Sequence, residues 1–392
     1  MTERFDVARV RREFPVTSRM LYFDSAHQTP LATCVRSALM NFYDEGYQNA
    51  GPKAVWLARV EKVRERVANL FGVSTDEIAF TKNTSEGLNI AANSIAWRGG
   101  DNVLMIEGDH PNNAYAWLNL KRRAVDVRFI PLSGEVADAS TFASHIDERT
   151  RAISLSHVTF HAGHRHDIAS IGALCRERGI YLIVDVMQSV GVLPVCATEL
   201  GVSLLAAGCH KGLLVPQGLG IMYASSRCSE LQPAYLALAG LADPPSDLIA
   251  RPERIQLSAT ARRFEIGNHN LPAMHALAAS LDFITGIGVE NITEHVLDLG
   301  DQLIEQMESQ GIRIVGPRER AHRSHIYVLD LPGDGWLEYL AANEVRVSPE
   351  RDGIRVSFAM FNTSDEVDRL SDIIRRRKVA QPRRSSMADT VD

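Results

Sequence analysis

The chain has 392 residues, 45% of them hydrophobic and 23% charged, with 27 Gly and 16 Pro. At about 150 residues per domain this length predicts two or three units, and the composition excludes a disordered, collagenous or low-complexity protein. Its 42 Lys and Arg against 48 Asp and Glu leave a net charge of −6, which gives no general attraction to nucleic acid or an anionic membrane, so neither is expected as a partner.

The first twenty residues carry charges throughout and lack the apolar core of a secretion signal. Val60, Val63, Val67 and Leu70 step by three and four, which predicts a helix over 53–71. From about Asp76 to about Tyr223 strand-like and helix-like segments alternate. Short runs rich in Val, Ile and Leu at 102–106, 127–130, 152–155 and 181–184 predict strands buried on both faces, and 167–178 predicts a helix ended by Gly179. Such alternation marks an α/β protein with a mostly parallel sheet flanked by helices. After Pro244-Pro245 the pattern is irregular to about Leu271, then helical from 272 to 310, then mixed to about Arg377. These shifts predict a large domain over 21–264, a small α+β domain from 1–20 and 265–378, and a disordered tail at 379–392. The longest apolar stretches, such as 234–242, fall short of the ~18 residues that span a bilayer. Cys34, Cys175, Cys196, Cys209 and Cys228 are scattered and form no CxxC pair, which points to a reducing compartment, the cytoplasm.

Candidate chemistry centres on Leu204-Leu-Ala-Ala-Gly-Cys-His-Lys-Gly, where Lys211 sits between an apolar strand and a Gly-rich turn. A lysine among apolar neighbours has its ammonium form disfavoured, which supplies the neutral amine that forms a Schiff base with an aldehyde. On this segment alone, a strand-end lysine whose head reaches water is the simpler reading. In Tyr181-Leu-Ile-Val-Asp-Val-Met-Gln, Asp185 falls at the carboxyl edge of the sheet, where open α/β sheets bind ligands. A carboxylate there either pairs with a protonated pyridine nitrogen or caps the next segment. Phe80-Thr-Lys-Asn-Thr-Ser-Glu-Gly follows a strand and opens a helix, so Thr84 and Ser85 form either a phosphate cradle or a plain N-cap with Glu86. Four histidines, His157, His161, His164 and His166, fall within eleven residues. A metal site there lacks matching Cys or carboxylate ligands, and no metal is expected.

The order of cradle, His110, Asp185, Gln188 and His210-Lys211 along this alternating segment resembles the class V aminotransferase family of fold-type I pyridoxal-phosphate enzymes, which includes cysteine desulfurases and isopenicillin N epimerase-like proteins. The resemblance runs from about Tyr22 to about Thr363. It implies pyridoxal 5′-phosphate as cofactor, with Lys211 as the lysine that carries it, Asp185 as partner of the pyridine nitrogen and Gln188 near the phenolic oxygen. Thr84, Ser85 and His210 match phosphate contacts, and His110 matches the position whose ring stacks on the cofactor. Arg355 in Gly353-Ile-Arg-Val-Ser matches the arginine that grips the α-carboxylate of an amino-acid substrate, a role a guanidinium fork suits. His161, and His27 with Gln28 in Asp24-Ser-Ala-His-Gln-Thr, are further substrate-side candidates, with a solvent-facing turn the alternative for His27 and Gln28. The segment Arg262-Arg-Phe-Glu-Ile-Gly-Asn-His-Asn resembles one that contacts the partner's cofactor phosphate in a homodimer with shared sites, although Asn268 stands where relatives carry a hydroxyl residue.

Two departures bear on the reaction. Cysteine desulfurases carry a nucleophilic cysteine shortly before the carboxylate arginine, whereas no Cys follows Cys228, so the reading excludes a cysteine desulfurase. Phe160 stands where that branch often has an asparagine. The expected function is an amino-acid-processing enzyme of specialised metabolism, with aminotransfer favoured over β-elimination, epimerisation or decarboxylation. A noncatalytic binding protein on the same fold is the alternative class, and joint retention of Lys211, Asp185 and Arg355 argues against it.

Overall fold

A computed structural model describes residues 5–132 and 136–380. After β1 (Leu21–Tyr22), the strands β2 (Ile78–Thr81), β3 (Asn102–Ile106), β4 (Asp126–Ile130), β5 (Thr150–Ser156), β6 (Tyr181–Asp185), β7 (Leu204–Gly208) and β8 (Gly220–Ala224) follow in sequence. The last seven form one sheet in the order β2-β8-β7-β6-β5-β3-β4. Six strands point the same way. The exception is β8, which is antiparallel to β7 and β2 because only a short Gly-rich turn separates it from β7, too little chain for a crossover.

Both faces of this sheet are covered. Leu182 and Val184 of β6 join one apolar core and Ile183 the other, and in β3 Leu104 and Ile106 lie opposite Val103 and Met105. That alternation explains why these strands read as continuous apolar runs. Helix Lys53–Phe71 presents Val60, Val63 and Val67 to the first core and is stopped by Gly72 in the left-handed conformation at φ 66°. Helix Ile168–Arg178 starts where the Asp167 side chain accepts from Ser170 N and ends at Gly179.

A second sheet of four strands runs β12-β13-β10-β9 and is antiparallel throughout. Its members are β9 (Arg313–Val315), β10 (Ile326–Asp330), β12 (Ser348–Glu350) and β13 (Gly353–Ser357), while β11 (Val345–Arg346) pairs in parallel with β1. The helical region expected over 272–310 is two helices, Leu271–Ile287 and Val289–Ser309, bent by 71° at Gly288, whose φ of 89° a straight helix does not accommodate. Among the described residues no single helix is long and apolar enough to cross a membrane. Helix Ser364–Ala380 takes in the first two residues of the expected tail, and the rest of that tail lies outside the described residues.

Candidate active site

Five parallel strands deliver their carboxyl ends to one edge of the large sheet, and each is followed by a residue singled out from the sequence. β2 leads to Thr84, β3 to His110, β5 to Phe160, β6 to Gln188 and β7 to Lys211. There a cavity of about 230 Å³ is lined by Thr84, Ser85, His110 and Phe160, and also by Asp185, Gln188, His210 and Lys211.

Asp185 is buried, and burial pushes its carboxyl up to about 7, with Asp109 adding repulsion and the Met187 N–H, donated to Oδ1 at 2.8 Å, opposing. The amine of Lys211 is pulled down to about 8 by burial, against the attraction of Asp185 and with Arg355 helping to lower it. A neutral amine is therefore available near neutral pH. His210, burdened by burial and by Lys211, is lowered to about 4, and its carbonyl accepts from Thr29 N and from Gln28 Nε2.

His110 caps helix Pro111–Leu118, and its Nδ1 accepts from Asn112 N at 3.1 Å. That bond leaves Nε2 to carry any ring proton of the neutral form. Burial and Lys211 both lower its pKa. The ring stands edge-on to Phe160, with centroids 4.9 Å apart. Helix Thr84–Ser94 begins at the same edge. Asn83 is its cap, accepting from Glu86 N at 2.9 Å, and the Thr84 and Ser85 hydroxyls have no hydrogen-bond partner among the described residues. Close packing under this helix start depends on Gly220, where a Cβ would lie 2.6 Å from Thr81 Oγ1 and 2.8 Å from the Asn83 backbone.

Arg355 approaches from the small sheet. Its Nη1 donates to Glu350 Oε1 at 2.7 Å and to the Phe160 carbonyl at 2.9 Å. His161 bridges Glu350 and Asp352 at 3.3 and 2.7 Å, so it is joined to Arg355 through Glu350. His27 is exposed, on a turn closed by its N–H to Asp24 O, and lies near enough to His210 to lower its pKa. Asn268 is not brought to the cavity within the chain; it is exposed and lines a second cavity with Lys82 and Glu86. The clustered histidines part company: His157 and His166 are buried and pulled down to about 3, and His166 Nδ1 accepts from Ala137 N.

Sequence reasoning passed over Asp109, whose carboxylate accepts from Ser156 N and Oγ and from Asn113 Nδ2, tying β5 to the His110 turn beside Asp185. An acid directly before His110 was the available signal. It also passed over His325, which is fully buried and close enough to Lys211 and Arg355 for both to lower its pKa.

A model of the family described as aminotransferase class-V matches residues 21–370. The chain belongs to that family. Its fold is that of the fold-type I enzymes: the cysteine desulfurase of Thermococcus onnurineus superimposes with a TM-score of 0.87 at 23% identity, covering 95% of this chain and 98% of that one. An uncharacterized aminotransferase of Schizosaccharomyces pombe is 34% identical over 96% of this chain and 98% of its own. A probable cysteine desulfurase of Methanothermobacter thermautotrophicus is 32% identical over 78% of this chain and 77% of its own. The exclusion of a cysteine desulfurase is therefore corrected: proteins so described are among the relatives along most of the chain, and the composition of one loop does not outweigh that similarity.

The cofactor of the family is pyridoxal 5′-phosphate, and the cavity fits it. Gln188 Oε1 is buried without a partner, two hydroxyls at a helix start are free to take a phosphate, and a buried carboxyl and a depressed lysine line the same space.

Proposed function

We propose that this protein acts at the Cα of an amino-acid substrate, with Lys211 as the cofactor lysine and aminotransfer as the reaction. The observation that carries the reading is Lys211 itself, a partly buried amine lowered to about 8 that lines one cavity with Asp185 and Gln188.

Pyridoxal phosphate, when bound, supplies an aldehyde that joins amines and a ring that accepts the electron pair released at Cα. Thr84, Ser85 and His210 would hold the phosphate at the positive end of helix Thr84–Ser94. Asp185 would hold the ring nitrogen protonated, and that cation in turn would draw its carboxyl down from about 7. Gln188 offers its unpaired Oε1, and His110 covers the cavity with a ring kept neutral by burial and by Lys211. Arg355 receives the α-carboxylate. Lys211, unprotonated in part near pH 8, removes and returns the proton at Cα.

A second reading, cleavage of a carbon–sulfur bond at the β position, is favoured by the relatives described as cysteine desulfurases. The functional unit proposed is a homodimer with shared sites, in which Asn268 reaches the partner; exposed Tyr235, Leu236, Leu238 and Ile266 on the flanking segment support a covered face there.

The experiment is a panel of L-amino acids, thioethers included, presented to the purified holoprotein with and without a 2-oxo acid acceptor, with products identified by mass spectrometry. Aminotransfer releases a 2-oxo acid and requires the acceptor for turnover. Pyruvate or a sulfur product without an acceptor moves the protein to the second reading, and no product from any amino acid overturns both.

A further inference from the structure

The hairpin that carries Arg355 also delivers an acid to the place assigned to the substrate's carboxylate. β12 ends at Glu350, the chain turns through Arg351 and Asp352, and β13 returns with Arg355 opposite Ser348. The turn is tight enough to put Glu350 Oε1 2.7 Å from Arg355 Nη1. The side chains are 6% and 13% exposed, for Arg355 and Glu350 respectively, so the pair is shielded from water and each partner leaves the other uncompensated if it departs.

Glu350 and the Phe160 carbonyl engage Nη1, while Nη2 has only Asp24 Oδ1, at 3.9 Å and beyond hydrogen-bond reach. A two-pronged grip on a carboxylate uses two parallel N–H groups of the fork: the Nη1–Nη2 pair is half taken by Glu350, and the Nε–Nη2 pair, though unpaired, has its Nε buried. Glu350, by contrast, has somewhere to go. Its second oxygen is already 3.3 Å from His161 Nδ1, and Asp352 lies 2.7 Å from the other ring nitrogen; since both carboxylates accept, the imidazolium, with an N–H on each nitrogen, is the form of His161 that anchors Glu350.

We propose that Glu350 is a built-in competitor for the substrate's α-carboxylate, occupying Arg355 in the empty site and yielding it, with His161 as the remaining anchor, when substrate enters. Glu350 is then a positioning residue that sets affinity without touching the reacting atoms. It keeps the buried guanidinium compensated between turnovers, and an amine without a carboxylate cannot displace it. The inference rests on Arg355 as the carboxylate grip.

The test titrates the holoenzyme with propionate, an amine-free carboxylate, by calorimetry, in wild type, Glu350→Gln, Glu350→Ala and Arg355→Ala, with melting temperatures as the control for folding. Removing a competing charge-assisted hydrogen bond should tighten propionate at least roughly tenfold in both Glu350 variants, and Arg355→Ala should abolish binding. With a turned-over substrate, KM should fall in Glu350→Gln while kcat changes little. Equal or weaker binding in both Glu350 variants, or none, with binding lost in Arg355→Ala, overturns the competitor and leaves the arginine grip standing. Unchanged binding in Arg355→Ala overturns the grip itself.

Discussion

Gly220 offers a direct way to disturb the end of the site proposed to hold the phosphate without changing any group in it. Its partner across the β2–β8 ladder is Thr81, and an added Cβ would lie 2.6 Å from Thr81 Oγ1 and 2.8 Å from the Asn83 Cα and carbonyl carbon. Carbon atoms rest at about 3.5–4.0 Å, so the Asn83 backbone must retreat by roughly 0.7 Å or more. Thr81 is held in the ladder, and the displacement passes to the turn that sets Thr84 and Ser85. Overpacking of this kind costs about 1–3 kcal/mol of stability. Loss of one hydrogen bond to a phosphate costs a further ~1.5–3 kcal/mol of cofactor binding, or roughly 10- to 100-fold in the dissociation constant. Gly220→Ala should therefore bind pyridoxal phosphate that much more weakly, measured by equilibrium dialysis, and melt lower. Gly286→Ala is the control: nothing lies within 4 Å of its added Cβ in helix Leu271–Ile287, and it should stabilise by up to ~1 kcal/mol. Unchanged cofactor affinity in Gly220→Ala would refute the assignment of Thr84 and Ser85 to the phosphate.

Glu265→Ala removes the partner of buried Arg64, which donates to it at 2.7 Å, and also an acceptor of Phe80 N; a loss of about 3–5 kcal/mol in urea unfolding is expected, and a loss under about 1 kcal/mol would contradict it. Asp185 carries a folded-state pKa raised from 3.8 to about 7, so in the cofactor-free protein its contribution to stability is present below pH 3.8 and is lost as pH rises to 7. The buried histidines titrate in the opposite sense and are common to both proteins, so cofactor-free Asp185→Asn should gain stability relative to wild type between pH 4 and pH 7, and a difference that does not change with pH would refute the raised carboxyl. With cofactor bound, the same variant should lose most of its turnover while keeping the cofactor, because the ring nitrogen loses its counter-charge; full activity would remove Asp185 from that role.

The parts of the site that are local in sequence were legible. Strands buried on both faces give uninterrupted apolar runs, so 102–106 and 181–184 marked the sheet, and the residues just past their ends mark where its edge lies. Lys211, Asp185, His110 and the Thr84-Ser85 turn come together because parallel strands deliver all their carboxyl ends to one side. What the sequence hid was long-range. Glu350 reaches Arg355 and His161 only through a hairpin register and a contact between the four-stranded sheet and the segment after β5, and no periodicity encodes that contact. Asp109 joins β5 to the His110 turn across strands far apart in the chain. The break at Gly288 was masked because both flanking helices are apolar enough to read as one. Asn268, matched by resemblance, lies away from the cavity of its own chain, where a single sequence carries no sign of which subunit a segment serves.

Everything proposed for the site depends on Lys211 holding the cofactor. It is one of six lysines, with Lys53, Lys62, Lys82, Lys121 and Lys378, so borohydride reduction of the holoprotein followed by peptide mass spectrometry identifies the attachment point without reference to any substrate. A single pyridoxyl-modified peptide containing Lys211 is expected, absent from Lys211→Ala under the same treatment. A pyridoxyl group on another lysine, or an unmodified chain after saturation with the cofactor, would contradict it.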